Sequence, residues 1–90
     1  MRIMKFECYL QGQVLETIPT DREIFVKTND TIIKYYELEC FGSHTITHVR
    51  NTNGGIVFNT DKTTQGLAGH VTITIMSEGR IKTKTYPVVV

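Results

Sequence analysis

His70-Val71-Thr72-Ile73-Thr74-Ile75-Met76-Ser77-Glu78-Gly79-Arg80-Ile81-Lys82-Thr83-Lys84-Thr85 alternates branched apolar residues with threonine or lysine on both sides of a glycine-containing turn. Period-two alternation marks half-buried strands, and Ser77-Glu78-Gly79 supplies the turn between them. A three-residue loop with Gly79 in the left-handed conformation sets Ile75 opposite Ile81, Ile73 opposite Thr83 and Thr74 opposite Lys82. One face of that hairpin is apolar and the other polar. A two-residue loop would set Ile75 against Lys82 and Ile73 against Lys84, so the side-chain pattern favours the longer loop.

The rest of the chain has the same character. Thr (14), Ile (10) and Val (8) make up 32 of the 90 residues, against a single alanine and two prolines. Branched side chains of this kind suit pleated strands better than helices. With 40% apolar and 21% charged residues, and no composition shift, linker or internal repeat, the chain reads as one domain over residues 1–90. It is small enough that its core is thin.

Two further hairpins are expected. A two-residue turn at Asn29-Asp30 pairs Val26 with Ile33, Ile24 with Tyr35 and Arg22 with Glu37. Asn53-Gly54, the strongest short-range turn signal here, pairs Val49 with Phe58 and Asn51 with Ile56. The N-terminal stretch bends at Gln11-Gly12-Gln13 with two registers open, Phe6 against Ile18 or Cys8 against Leu15. Eight short strands then fill the chain, leaving Thr60 to Gly69 as one long loop. Helical alternatives exist, a capping box at Thr20-Asp21-Arg22-Glu23 and a cap at Asp30, but neither is followed by a sustained apolar stripe.

Gly66-Leu67-Ala68-Gly69-His70 and the strand and hairpin that follow resemble the last two strands of an immunoglobulin-like or fibronectin-type-III-like sandwich. The core tryptophan, the inter-sheet cysteine pair and the corner tyrosine of that family are missing, so the resemblance speaks for architecture and carries over no functional residue. The fold expected is a small antiparallel β-sandwich, immunoglobulin-like in outline, with a partly open small β-barrel as the alternative.

Chemistry-bearing groupings are sparse. Cys40, His44 and His48 are spaced four apart, which on a strand spans roughly 13 Å and is too wide for one ion. The bland reading, a packed thiol and two strand histidines, is preferred, and no metal or cofactor is assigned. Cys8 or Cys40 with a histidine could form a nucleophile and base, but neither cysteine sits where a thiol is activated. Glu37 and Glu39 alternate onto one strand face as a solvated stripe. No enzyme activity is expected.

Ten Lys/Arg against nine Asp/Glu give a net charge of +1, which argues against nucleic acid as partner. A local basic stripe of Arg80, Lys82 and Lys84 keeps a nucleic-acid-binding barrel as the alternative, provided that Lys27, Lys34 or Lys62 joins it. Within the long loop, Asp61, Lys62, Thr63, Thr64 and Gln65 are candidate contacts, although a plain connection between sheets explains that loop as well. Tyr9 and Tyr36 are the tyrosines expected to expose their rings. The apolar end Tyr86-Pro87-Val88-Val89-Val90 must be covered by the domain or by another molecule, with Pro87 at an edge or a switch between sheets.

No apolar run approaches a membrane span and charges interrupt the first residues, so the chain is expected to be intracellular, with its cysteines reduced. The function expected is a non-enzymatic protein-binding or assembly module that contacts another protein or itself as a homo-oligomer. A small viral or phage accessory protein, either a virion component or an inhibitor of a host protein, fits that economy of design.

Overall fold

A computed structural model describes residues 5–29, 33–42, 44–52, 55–62, 69–77 and 79–89. Nine strands form among them: β1 (Phe6–Leu10), β2 (Gln13–Val14), β3 (Ile18–Pro19), β4 (Ile24–Thr28), β5 (Tyr35–Phe41), β6 (His44–Thr52), β7 (Gly55–Lys62), β8 (His70–Ser77) and β9 (Arg80–Val89). They make two sheets, one in the order β2-β1-β4-β7-β6 and the other in the order β3-β9-β8-β5. The fold is all-β, as the composition requires. No helix among the described residues is long and apolar enough to cross a membrane.

Alternation decides which side chains enter the space between the sheets. Phe6 and Cys8, Ile24 and Val26, and Ile56 and Phe58 point inward from the first sheet, and Val71, Ile73, Ile75, Tyr86 and Val88 from the second. Ile18 closes one end of this core, where β3 runs parallel to β9 and pairs Ile18 with Val88. Thr20 fastens that end, its amide and its hydroxyl both donating to the Val89 carbonyl at 3.1 and 2.8 Å. Tyr86 and Val88 of the apolar C-terminal strand are therefore covered from within the domain, while Val89 stays exposed.

Several pairings differ from the sequence expectation. The Asn53-Gly54 hairpin pairs Asn51 with Ile56 as expected, but Val49 does not face Phe58, because the register shifts between Thr47 and Arg50. His48, with φ of 55°, sits in that irregularity. The N-terminal hairpin takes the Cys8–Leu15 register: Tyr9 pairs with Val14, and the Leu15 amide donates to the Cys8 carbonyl at 2.8 Å. Gln11 and Gly12, with φ of 50° and 84°, make its two-residue turn.

The Asn29-Asp30 hairpin does not form. Ile24 faces Phe58 and Val26 faces both Cys8 and Ile56, whereas Tyr35 faces Met76 in the other sheet. The chain crosses between sheets where a turn was expected, and Asp30 lies outside the described residues. Thr60, Asp61 and Lys62 belong to β7 and not to a loop, while Thr63, Thr64 and Gln65 fall outside the described residues.

The C-terminal hairpin is also one residue out of the expected register. Ser77 pairs with Arg80, Ile75 with Lys82 and Ile73 with Lys84, which is the two-residue loop. Two aliphatic lysine stems thus lie on the core side of β9, and Ile81 points outward. Lys84 makes this possible: its stem passes the core while its ammonium reaches the rim, 5.5 Å from the Phe6 ring centroid and 5.2 Å from that of Tyr86.

Candidate functional site

Tyr9 and Lys84 both have defined surroundings. Lys84 Nζ donates to the Phe6 carbonyl at 3.2 Å and meets Glu7 at 3.5 Å. Partial burial works against its charge, yet the Tyr86 hydroxyl and the Glu7 carboxylate hold its pKa above the ordinary lysine value. A cation held in this way is a clasp between β1 and β9, and little of it is left for a phosphate. Lys82 is exposed and Arg80 half-buried on the same side of β9, whereas Lys27 belongs to the outer face of the other sheet. Lys27 therefore does not extend the basic stripe. Lys34 is exposed just before β5.

Tyr36 corrects an expectation. It points inward from β5 and packs half-buried against the core, while its neighbour Tyr35 is the exposed ring. Because β5 pairs with β8 and not with β4, its inward set is Tyr36, Leu38 and Cys40, the opposite parity from that read from the sequence.

The cysteines and histidines do not come together. Cys8 and Cys40 are free thiols, one in each sheet. Burial pushes the Cys8 thiol up to about 12, against smaller opposing effects of the Tyr86 hydroxyl and Lys84. Burial raises the Cys40 thiol too. β4 and β7 separate Cys8 from the β6 strand of His48, a gap of three strand spacings or roughly 14 Å. His70 faces outward and stacks on Phe41 at 4.9 Å, away from the inward Cys40. Among the described residues no group of three His, Cys, Asp or Glu could hold a metal ion.

What the strand order does assemble is the outer face of β5, β8 and β9. Four cross-strand rows run over it: Tyr35-Met76-Ile81, Glu37-Thr74-Thr83, Glu39-Thr72-Thr85 and Phe41-His70-Pro87. Apolar groups stand exposed at both ends of the face, with Tyr35 51%, Met76 37%, Ile81 67% and Phe41 45% accessible. The middle is ordered by side-chain bonds between neighbours. Thr72 and Thr85 share a hydroxyl hydrogen bond of 3.1 Å, as do Thr74 and Thr83, and the Tyr35 hydroxyl donates to Glu37 at 3.0 Å. Glu37 and Glu39 are close enough that hydrogen bonding to Glu37 and its charge raise the Glu39 pKa, and the Glu37 carboxylate likewise raises that of Tyr35. No Lys or Arg stands in these rows.

The outer face of the other sheet has a different chemistry. Val14, Tyr9, Phe25, Val57 and Arg50 form one row across all five of its strands. Beside it lies a cleft of about 630 Å³, lined among others by Tyr9, Gln11, Arg22, Glu23, Phe25 and Lys27. Lys27 stands over the Phe25 ring at 5.8 Å, and Glu23 is held by Arg50 at 2.9 Å. Tyr9 of the sequence-derived set thus lies in this cleft, together with Lys27, which the sequence offered only as an extension of the basic stripe. The companions of Tyr9, and the rows across β5, β8 and β9, needed the non-local strand order and had no local signal. Comparison with protein-family models, curated proteins and solved structures gives no match.

Proposed function

We propose that the chain is a non-enzymatic protein-binding or assembly module whose contact surface is the outer face of β5, β8 and β9. The observation that carries this reading is the exposed row Tyr35-Met76-Ile81 on a strand face held in place by paired threonine hydroxyls. Aromatic residues and methionine are enriched in protein interfaces, and a rigid face limits the ordering cost of binding. A Cys8 thiol kept protonated by burial and set three strands apart from β6, the strand of His44 and His48, supports a role without nucleophilic chemistry.

The sheet orders also support the immunoglobulin-like outline. β1-β4-β7-β6 corresponds to the A-B-E-D sheet of that architecture, and β9-β8-β5 to its G-F-C sheet. Domains of this outline present sheet faces and end loops to other proteins. A viral or phage accessory role, as virion component or inhibitor of a host protein, belongs to the same reading, and the free Cys8 and Cys40 suit an intracellular setting.

The test replaces the exposed anchors. Ile81→Arg and Met76→Arg, both checked for unchanged thermal unfolding, are compared with the wild type by size-exclusion with light scattering and by an unbiased pull-down. Self-association or a specific partner seen with the wild type and lost with the variants supports the module. A strictly monomeric wild type that recovers no specific partner overturns it.

A further inference from the structure

The two outer faces of the sandwich are complementary. The β5-β8-β9 face carries Glu37 and Glu39 with no cation in its rows, framed by Tyr35, Met76, Ile81 and Phe41. The β1-β4 side of the other sheet offers Arg22 and Lys27 around the rings of Tyr9 and Phe25. The acids near those two cations are already committed, Glu23 to Arg50 at 2.9 Å and Glu7 to Lys84 at 3.5 Å. Arg22 and Lys27 themselves meet no carboxylate among the described residues. One face is acidic and apolar, the other sets two cations outside any ion pair beside two aromatic rings, with Glu7 as the cross-strand neighbour of Lys27, and both belong to the same chain.

Resting on the reading of the chain as an assembly module, we infer that its partner is a second copy, stacked head to tail. The Glu37/Glu39 face of one molecule seats against the Arg22/Lys27 cleft of the next. Opposite charges supply the match, and the exposed Tyr35, Met76, Ile81 and Phe41 of one face meet the half-buried Tyr9 and Phe25 rings of the other for apolar contact. Because the faces lie on opposite sides of the sandwich, using one leaves the other open. The contact is heterologous and propagates, giving a closed ring or an open string of copies and not a simple two-fold dimer.

Lone glutamates on a strand face are commonly a device against unwanted edge pairing. That explanation accounts for Glu37 and Glu39 on the open edge strand β5. It does not account for Arg22 and Lys27 making no ion pair among the described residues beside Tyr9 and Phe25 on the opposite side, where the nearby Glu7 and Glu23 are held by Lys84 and Arg50.

The experiment uses reversed charges on the full chain. The wild type is followed by sedimentation and light scattering over micromolar to millimolar concentration, at low and at high salt. We expect a mass that climbs past the dimer with concentration and falls with salt. Glu37→Lys/Glu39→Lys and Arg22→Glu/Lys27→Glu each place like charges across the contact and weaken self-association roughly a hundredfold. Equimolar mixing of the two variants restores it, since each then meets its complement, and so does the chain carrying all four changes. Circular dichroism and thermal unfolding of each variant confirm that the fold is intact.

Association that survives both reversals, or that is not restored by mixing, overturns the stacking. A wild type that is monomeric throughout also overturns it. In that case an Ile81-dependent contact with a different protein leaves the binding reading standing, and the absence of any such contact removes both.

Discussion

Cys8 shows how much one position reports about the whole. Its thiol is buried between the sheets beside the Tyr86 hydroxyl, and burial pushes its pKa up to about 12. Burial also raises the Tyr86 phenol, while Tyr86 and Glu7 raise the Lys84 ammonium against partial burial. All three groups therefore favour the folded state in their protonated forms. The stabilisation is complete below the unfolded values and is lost as pH rises through the folded ones, which for Cys8 means between about 9 and about 12. Urea denaturation at about pH 8 and about pH 10.5 should show lower stability at the higher pH, with a shallower decline for Cys8→Val. A thiol-alkylating reagent should modify Cys40 in the native protein and Cys8 only after denaturation; native labelling of Cys8 would contradict this packing. That both thiols pack against the core was expected, on the premise of an intracellular setting and not from any local signal. That Lys84 would cap the Phe6 and Tyr86 rings was not, because a lysine opposite an isoleucine reads as a register error until the open rim of the sandwich gives its ammonium somewhere to go.

The turns tell apart what local sequence can and cannot specify. Gln11-Gly12 and Asn53-Gly54 lie between strands that pair with each other, and there turn chemistry identified the partner strands but not the full register, since the first left two registers open and the second misplaced Val49. Asn29-Asp30 also has workable turn chemistry, yet β4 before it and β5 after it belong to different sheets. Alternation in Ile24–Thr28 and Tyr35–Phe41 fits a hairpin and a crossover alike, so the wrong partner also inverted the parity of Tyr35 and Tyr36. Two glycines extend this into a measurable contrast. Gly79 has φ of 77° and open space where a Cβ would stand, so Gly79→Ala should cost about 1 kcal/mol from backbone conformation alone, and Gly79→Asn less. At Gly69 a Cβ would fall on the Phe41 carbonyl oxygen and close to the Gly42 Cα, so Gly69→Ala should cost more than about 2 kcal/mol. Urea midpoints of the three variants check the order, and a Gly69→Ala protein as stable as Gly79→Ala would show that β8 does not approach the β5 terminus so closely.

At the scale of the whole molecule, the contacts that define the sandwich are the ones furthest apart in the chain. Three neighbouring pairs, β1-β2, β6-β7 and β8-β9, are hairpins; β1-β4, β4-β7, β5-β8 and β3-β9 all join segments separated by other strands. Composition was enough to indicate two all-β layers, but the rows that make each outer face depend on these distant pairings. The contact surface was accordingly illegible apart from the Glu37/Glu39 stripe, which strand alternation alone puts on one face. The same topology sets the kinetics, since non-local pairings must close long loops before any contact repays them, and refolding on the millisecond-to-second scale is expected. The strand pairing of greatest sequence separation is β3 against β9, which pairs Ile18 with Val88. Val88 is fully buried there, so Val88→Ala should lower stability by about 2 kcal/mol. If the hairpins and the inner pairings form the transition state and this closure follows, the loss appears almost wholly as faster unfolding, with the folding rate nearly unchanged. A stopped-flow chevron of the wild type and Val88→Ala decides the matter: slowed folding in the variant would place the C-terminal closure inside the nucleus and reverse the proposed order.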